Sequence, residues 1–250
     1  MYICFDLDDT LLSRKKKNKI TKYTIKVLEE ARKQGHYLIA NTARSLENAR
    51  KYLDVIRPHY SILNAGCLIV DENYNIVYEK LMDKMTTSNI IDELLKLNYG
   101  FSVQTKSALL TNIDDGFGEL YDFSSGFNDE SYKIVPKNIQ IKDAIEIKEK
   151  NNVDLTLYLN GLWSRFNHKD TNKLTGLEYV VIKLLKGSMN FVISFGDDYG
   201  DLPMLLGSGI GVAVANSVKE VKEKCKYKTE SCERNGVAKF LVKYLNLDIN

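Results

Sequence analysis

The stretch Tyr2-Ile-Cys-Phe-Asp6-Leu-Asp8-Asp9-Thr10 decides the fold, because a short apolar run ends in it abruptly on carboxylates. A strand buried on both faces reads as a continuous apolar run, and here the acids stand at its C-terminal end. After a basic loop at 14–19, Ile20, Tyr23, Thr24, Val27, Leu28 and Ala31 recur at helical spacing until Gly35 stops them. Residues 37–40 read as a second strand ending at Asn41-Thr42. Ser45 caps a helix through about Tyr52, and 61–63 form a third strand ending at Asn64-Ala-Gly66. The alternation returns near the C-terminus. Leu174, Leu177, Val181, Leu184 and Leu185 share a helical face, and a strand at 191–195 ends at Gly196-Asp197-Asp198. A strand at 210–214 follows, then helices marked by Val218, Val221 and Cys225 and by Ala238, Leu241, Val242 and Leu245. Strands alternating with helices predict an α/β fold, a doubly wound parallel sheet covered on both faces.

The stretch 71–168 breaks this pattern. It is richer in Asn, Asp and Lys, with looser strands at 101–105 and 155–159 and a helical face at Ile90, Leu94 and Leu97. The expectation is an inserted α+β cap domain at 71–168, interrupting a core built from 1–70 and 169–250. A chain of 250 residues suits one large domain or a core with an insert. With 44% hydrophobic and 27% charged residues, disordered, collagen-like and coiled-coil classes are excluded. The 35 Lys and Arg against 33 Asp and Glu leave a net charge of +2, and the pI is about 8.1, which argues against a nucleic-acid partner. The longest uncharged stretch, 202–218, contains Pro203 and three glycines and is shorter than the ~20 apolar residues of a spanning helix, so no membrane partner is expected. An acid already at position 6 predicts no signal peptide. Cys4, Cys67, Cys225 and Cys232 form no Cys-x-x-Cys pair and have no histidine nearby in sequence, so they read as reduced thiols. The expected setting is cytoplasmic.

Ligands of a doubly wound sheet bind beyond the C-terminal strand ends. Those ends deliver Asp6, Asp8 and Thr10, then Thr42, then Asp197 and Asp201, and Lys173 opens the helix before the late strand. Carboxylates crowded together raise one another's pKa, and a hard divalent cation with oxygen ligands relieves them; Mg2+ suits a few carboxylates with positions left for water and phosphate. A carboxylate beside Mg2+ and a lysine stays ionised and can attack phosphorus to form an aspartyl-phosphate. Asp8 can serve as general acid and then base, Thr42 and nearby backbone N–H groups can hold phosphate oxygens, and Lys173 can neutralise charge.

Asp6-Leu-Asp8-Asp-Thr10-Leu-Leu, Thr42-Ala-Arg44, Lys173-Leu-Thr-Gly-Leu and Gly196-Asp197-Asp-Tyr-Gly-Asp201-Leu-Pro-Met-Leu resemble the four ordered motifs of the haloacid dehalogenase superfamily. An insert between the second and third motifs resembles the Cof-type, subfamily IIB sugar-phosphatase branch. Asn64-Ala-Gly66, Val212-Ala-Val-Ala-Asn216-Ser and Asn235-Gly-Val-Ala238 match its weaker landmarks. The resemblance implies a Rossmann-like core with an α/β cap that sets specificity. It implies Asp6 as phosphate-accepting nucleophile, Asp8 as acid/base, and phosphoryl binding by Thr42, Ala43 and Lys173. Mg2+ would be held by Asp6, the backbone carbonyl of Asp8 and Asp197, with Asp201 supporting. Arg44, Trp163, Arg165 and Asn216 are candidate substrate contacts.

The implied reaction is hydrolysis of a small phosphomonoester, a sugar phosphate or similar metabolite. Three residues depart from the pattern: Ala43 and Leu174 stand where glycine is usual, and Gly200 where asparagine is usual. They predict weaker phosphate binding with the charged groups intact. Two rivals share the fold, a non-catalytic phosphometabolite-binding protein and a phosphosugar mutase. A signalling receiver is disfavoured because the third strand ends at Asn64-Ala-Gly66 without an acid.

Overall fold

In the computed structural model, residues 1–116, 118–158 and 163–249 are described, Lys16 and Trp163 in their backbone alone. The opening apolar run forms β1 (Tyr2–Phe5), with Ile3, Cys4 and Phe5 wholly buried. Then come α1 (Lys22–Lys33), β2 (Tyr37–Asn41), α2 (Leu46–Ile56) and β3 (Tyr60–Leu63). Thr21 caps α1 by accepting from the Thr24 N–H, and Ser45 caps α2 by accepting from that of Asn48, as its position before the periodic run predicts. α2 runs four residues beyond the expected Tyr52, to Ile56.

Only residues 64–67 separate β3 from the next strand, too few for the crossover that a parallel neighbour needs. The chain therefore doubles back as antiparallel β4 (Leu68–Asp71), followed in the same sheet by β5 (Ile76–Glu79). The turn is tight: Asn64 and Ala65 have φ of 46° and 55°, and Gly66 has 106°. This hairpin differs from the sequence expectation, which ended the core at residue 70. Two compact units part instead at Met1–Tyr78 with Asn172–Asn250 and at Glu79–Thr171. β4 stays with the core sheet because Leu68, Ile69 and Val70 are buried there.

Glu79–Thr171 is an α+β unit. It contains α3 (Lys84–Lys96), β6 (Phe101–Gln104), β7 (Leu109–Thr111), β8 (Glu119–Leu120), β9 (Lys133–Pro136), α4 (Ile141–Asn151), β10 (Val153–Tyr158) and β11 (Trp163–His168). The strand order is β10-β11-β9-β6-β7-β8. Phe101, Val103, Ile134 and Phe166 share a core with Ile90, Ile91 and Leu94 of α3 and Ala144 and Ile147 of α4. Alternation sends Ser102, Gln104, Arg165 and Asn167 to the other face of the sheet. Leu97, expected on the buried face of α3, caps its C-terminus and is 48% exposed.

The chain returns to the core through α5 (Lys173–Glu178), β12 (Val192–Gly196), α6 (Leu202–Gly207), β13 (Ile210–Ala213), α7 (Lys219–Lys224), β14 (Tyr227–Lys228) and α8 (Gly236–Leu245). α5 continues into a π-helical stretch, Tyr179–Leu184, so the expected single helical face is wound at two pitches. Among the described residues the core sheet has the order β14-β13-β12-β1-β2-β3-β4-β5, parallel from β14 to β3. Cys4, Ile39 and Ile62 pack on Leu177, Val180 and Val181 from the α5 side. Ile3 and Phe5 alternate to the opposite face, and α1 packs on β2, α2 and α8. From β1 the chain winds outward to β2 and β3, and later returns to its other side as β12 and β13. The β1–β12 seam is thus the switch point of a doubly wound α/β sheet, the place where such sheets bind their ligands. Among the described residues no helix is long and apolar enough to cross a membrane, and all four cysteines are buried thiols.

Candidate active site

Asp6 leaves β1 at that seam, tied to its neighbour by an N–H that donates to the Phe195 carbonyl at 3.1 Å. Lys173 reaches the same point from the first turn of α5. Asn172 caps this helix through the N–H groups of Leu174 and Thr175, and the Asn172 carbonyl lies where Gly66 has no side chain. A Cβ on Gly66 would stand 2.2 Å from that oxygen, so the β3–β4 turn receives the helix only with glycine there. A cation at a helix N-terminus opposes the macrodipole. Here two carboxylates offset that cost: Lys173 Nζ donates to Asp6 Oδ1 and to Asp201 Oδ1, both at 2.5 Å, with all three side chains buried. Asn41, buried at the end of β2, adds a 2.8 Å bond from its amide to the Lys173 carbonyl.

Asp197 follows β12, and Asp201 closes the turn after it. Asp201 Oδ2 accepts from the N–H groups of Asp197 and Asp198 at 2.9 and 3.1 Å. Gly196 permits this, since a Cβ there would lie 2.4 Å from that of Asp201. Thr10, itself 1% exposed, donates its hydroxyl to Asp197 Oδ1 at 2.7 Å. Asp6, Asp197 and Asp201 each present a carboxylate oxygen within 4.8 Å of the others.

Charge in this cluster is out of balance. Burial pushes Asp6 up to about 8, opposed by Lys173 and helped by Asp201. Burial likewise pushes Asp197 up to about 9, with the Asp201 and Asp6 charges adding to it. Burial acts to lower Lys173, but the Asp201 and Asp6 carboxylates outweigh it and hold its pKa above the ordinary lysine range. One ammonium faces three converging acids, so a hard divalent cation fits the donor set. Both Asp201 oxygens are already engaged within the protein. That leaves Asp6 and Asp197 as the side chains suited to direct ligation, with Asp201 orienting the group.

The Asp8 carboxylate stands outside this convergence and is gripped by Arg44. Arg44 Nε donates to Oδ2 at 2.7 Å and Nη2 to Oδ1 at 2.6 Å. Thr42, wholly buried, lies just beyond β2; with Phe5 opposite Ala40 in the register, it stands one residue past the level of Asp6. Its N–H donates to the Ile62 carbonyl at 2.8 Å, and its Oγ1 accepts from the Arg44 N–H at 3.2 Å. Ala43, half-buried, links the two. Leu174 is compensated across the fold: its side chain occupies the space beside Gly207, where a Cβ would come within 2.5 Å of it.

The remaining predicted contacts are differently placed. Asn216 is exposed, and its amide braces two loops: it donates to the Asp9 carbonyl at 2.6 Å, and Oδ1 accepts from the Cys232 N–H at 2.9 Å. Arg165 is 4% exposed in the Glu79–Thr171 unit, where Nε donates to Asn167 Oδ1 and Nη2 to Thr156 Oγ1, each at 2.9 Å. Its Nη1 is buried with no hydrogen-bond partner among the described residues. Trp163 opens β11, but its side chain lies outside the described residues. Sequence reasoning gave no role to Asn41 and did not pair Thr10 with Asp197. The one signal for Asn41 was a polar residue ending an otherwise apolar strand.

Comparison with known proteins identifies the family and its fold. The family described as haloacid dehalogenase-like hydrolase matches residues 3–241. The 5-amino-6-(5-phospho-D-ribitylamino)uracil phosphatase YcsE of Bacillus subtilis (strain 168) is 27% identical over 243 residues, covering 95% of this chain and 92% of that protein. Among solved structures, a haloacid dehalogenase-like hydrolase from B. subtilis superposes with a TM-score of 0.83 at 20% identity, covering 96% of this chain and 98% of the other. The HAD subclass IIB sugar phosphatase BT4131 gives 0.82 at 19% identity, covering 98% of each.

Proposed function

Since the chain belongs to the haloacid dehalogenase-like hydrolase family and is a phosphatase-type enzyme, we propose that it hydrolyses a small phosphomonoester, with Mg2+, through an aspartyl-phosphate on Asp6. The observation that carries this reading is the convergence of Asp6, Asp197 and Asp201 around one buried lysine at the switch point. In the first half-reaction an Asp6 oxygen bonds to phosphorus while the bond to the leaving oxygen breaks, and Asp8 delivers a proton to that oxygen. In the second, water attacks phosphorus, Asp8 takes the proton from the water, and the acyl-phosphate P–O bond breaks to return Asp6. Lys173, the Thr42 hydroxyl and the Ala43 backbone hold the phosphoryl oxygens. Mg2+ would be held by Asp6, Asp197 and the Asp8 carbonyl, and would supply the positive charge that lets a carboxylate approach a phosphate dianion.

The Glu79–Thr171 unit is proposed as the specificity-bearing cap. The substrate is proposed to be a sugar phosphate or similar metabolite, with a phosphoribitylamino-pyrimidine, the class in the relative's name, as one member to try. Four buried thiols support a reducing, cytoplasmic setting.

The test is phosphate release from an aryl phosphate and a metabolite-phosphate panel, with Mg2+ or EDTA, for wild type and Asp6→Asn. Mg2+-dependent turnover that vanishes in Asp6→Asn is expected. A wild type that binds phosphoesters without releasing phosphate would sink the reading and leave a binding protein. Transfer of phosphate to a second sugar hydroxyl instead of to water would make it a mutase.

A further inference from the structure

The mechanism above asks one carboxylate, Asp8, to meet the departing oxygen, yet a carboxylate on a short side chain beyond a strand end has no fixed direction of its own. Arg44 supplies it. Two parallel N–H donors of one guanidinium meet the two oxygens of one carboxylate, at 2.7 and 2.6 Å, and a planar two-point contact sets orientation as well as distance. Arg44 is itself held at both ends. Its Nη1 donates to the Asn48 carbonyl at 3.3 Å, and its guanidinium carbon lies 5.1 Å from the centroid of the buried Tyr52 ring. Its backbone N–H donates to Thr42 Oγ1, and its carbonyl accepts from the Asn64 N–H at 2.9 Å. The pair also sits nearer solvent than the nucleophile. The Arg44 and Asp8 side chains are 22% and 35% exposed, against 6% and 7% for Lys173 and Asp6.

We propose that Arg44 is a positioning residue for proton transfer: it aims Asp8 and makes no contact with the phosphoryl group. This rests on the phosphatase reading and replaces the substrate contact expected of Arg44 from sequence. A lysine in its place offers a single point charge without the fork, so charge alone does not substitute for it.

Leaving-group dependence tests this. A nitrophenyl phosphate expels a stable phenolate that scarcely needs a proton, whereas a hexose 6-phosphate expels an alkoxide that does. Arg44→Gln and Arg44→Lys should each lower kcat/KM, which reports the step that expels the leaving group, on the hexose phosphate by on the order of 10–100-fold, and on the aryl ester by only a few-fold. The double variant Asp8→Asn/Arg44→Gln should match Asp8→Asn alone on the hexose phosphate, because an absent acid needs no aim. Thermal melting of both Arg44 variants checks that the fold is kept, and the lysine variant serves if the glutamine one is unstable. Equal KM increases on both esters, with losses that multiply in the double variant, would mean that Arg44 binds phosphate, and the inference falls while the phosphatase reading stands. No turnover of either ester by wild type removes both.

Discussion

Replacing Lys173 with methionine keeps an unbranched apolar stem and removes only the ammonium. The structure sets the size of the effect. Nζ makes two 2.5 Å bonds to carboxylates whose side chains are 7% and 2% exposed, so neither acid can recover its lost partner from solvent. Breaking a buried ion pair from one side costs about 3–5 kcal/mol, against roughly 5–15 kcal/mol for a whole domain. The sign of the pH dependence follows from Asp6. Its folded pKa, about 8, is raised, so the folded state holds the extra proton and stability falls as pH rises towards 8. Lys173 limits that fall by opposing the rise; without it the Asp6 pKa climbs further and the fall continues to higher pH. The loss in Lys173→Met should therefore be larger at pH 9 than at pH 6. Urea unfolding followed by far-UV circular dichroism, in EDTA, measures it, with the exposed Lys183→Met as control, expected within about 0.5 kcal/mol of wild type. If Lys173→Met costs no more than the control at either pH, the ion-pair account of this site is wrong.

Two further outcomes follow from the same cluster. Because Asp6 and Asp197 have pKa values near 8 and 9, Mg2+ binding displaces protons, and the melting shift it produces should grow from pH 6 to pH 8; a shift of equal size at both would contradict the charge assignment. Thr10→Val removes the 2.7 Å bond that orients Asp197 and should weaken Mg2+ binding about 10–100-fold by titration calorimetry with the melting temperature of the apoprotein little changed; undiminished affinity would deny Thr10 that role.

What was legible in the sequence was local. β1 announced itself by an apolar run stopped by acids, α1 and α2 by period and cap, and the three acids of the cluster by standing at strand ends. β4 was not legible, because Cys67-Leu-Ile-Val70 follows β3 with no crossover segment, and its antiparallel return is forced by chain length rather than by a pattern. The π-helical stretch has no sequence mark, since Val180 and Val181 face the core within it as apolar residues of an α-helix would. Long polar side chains were read least well. The positions of Arg44 and Asn216 were singled out, but their partners, Asp8 in one case and the Asp9 and Cys232 backbone in the other, depend on how distant segments meet.

The seam between β1 and β12 joins Asp6 to a strand that the ribosome makes much later. At ~5–20 residues per second, β1 waits roughly ten to forty seconds for that neighbour, with β2 alone beside it. Glu79–Thr171 is one unbroken segment and completes its own contacts in the meantime. Synthesis thus imposes an order of assembly in which the acidic cluster closes last, once Lys173, Asp197 and Asp201 have all emerged. A nascent chain halted between residues 8 and 197 holds Asp6 and Asp8 but neither Asp197 nor Asp201 beside them.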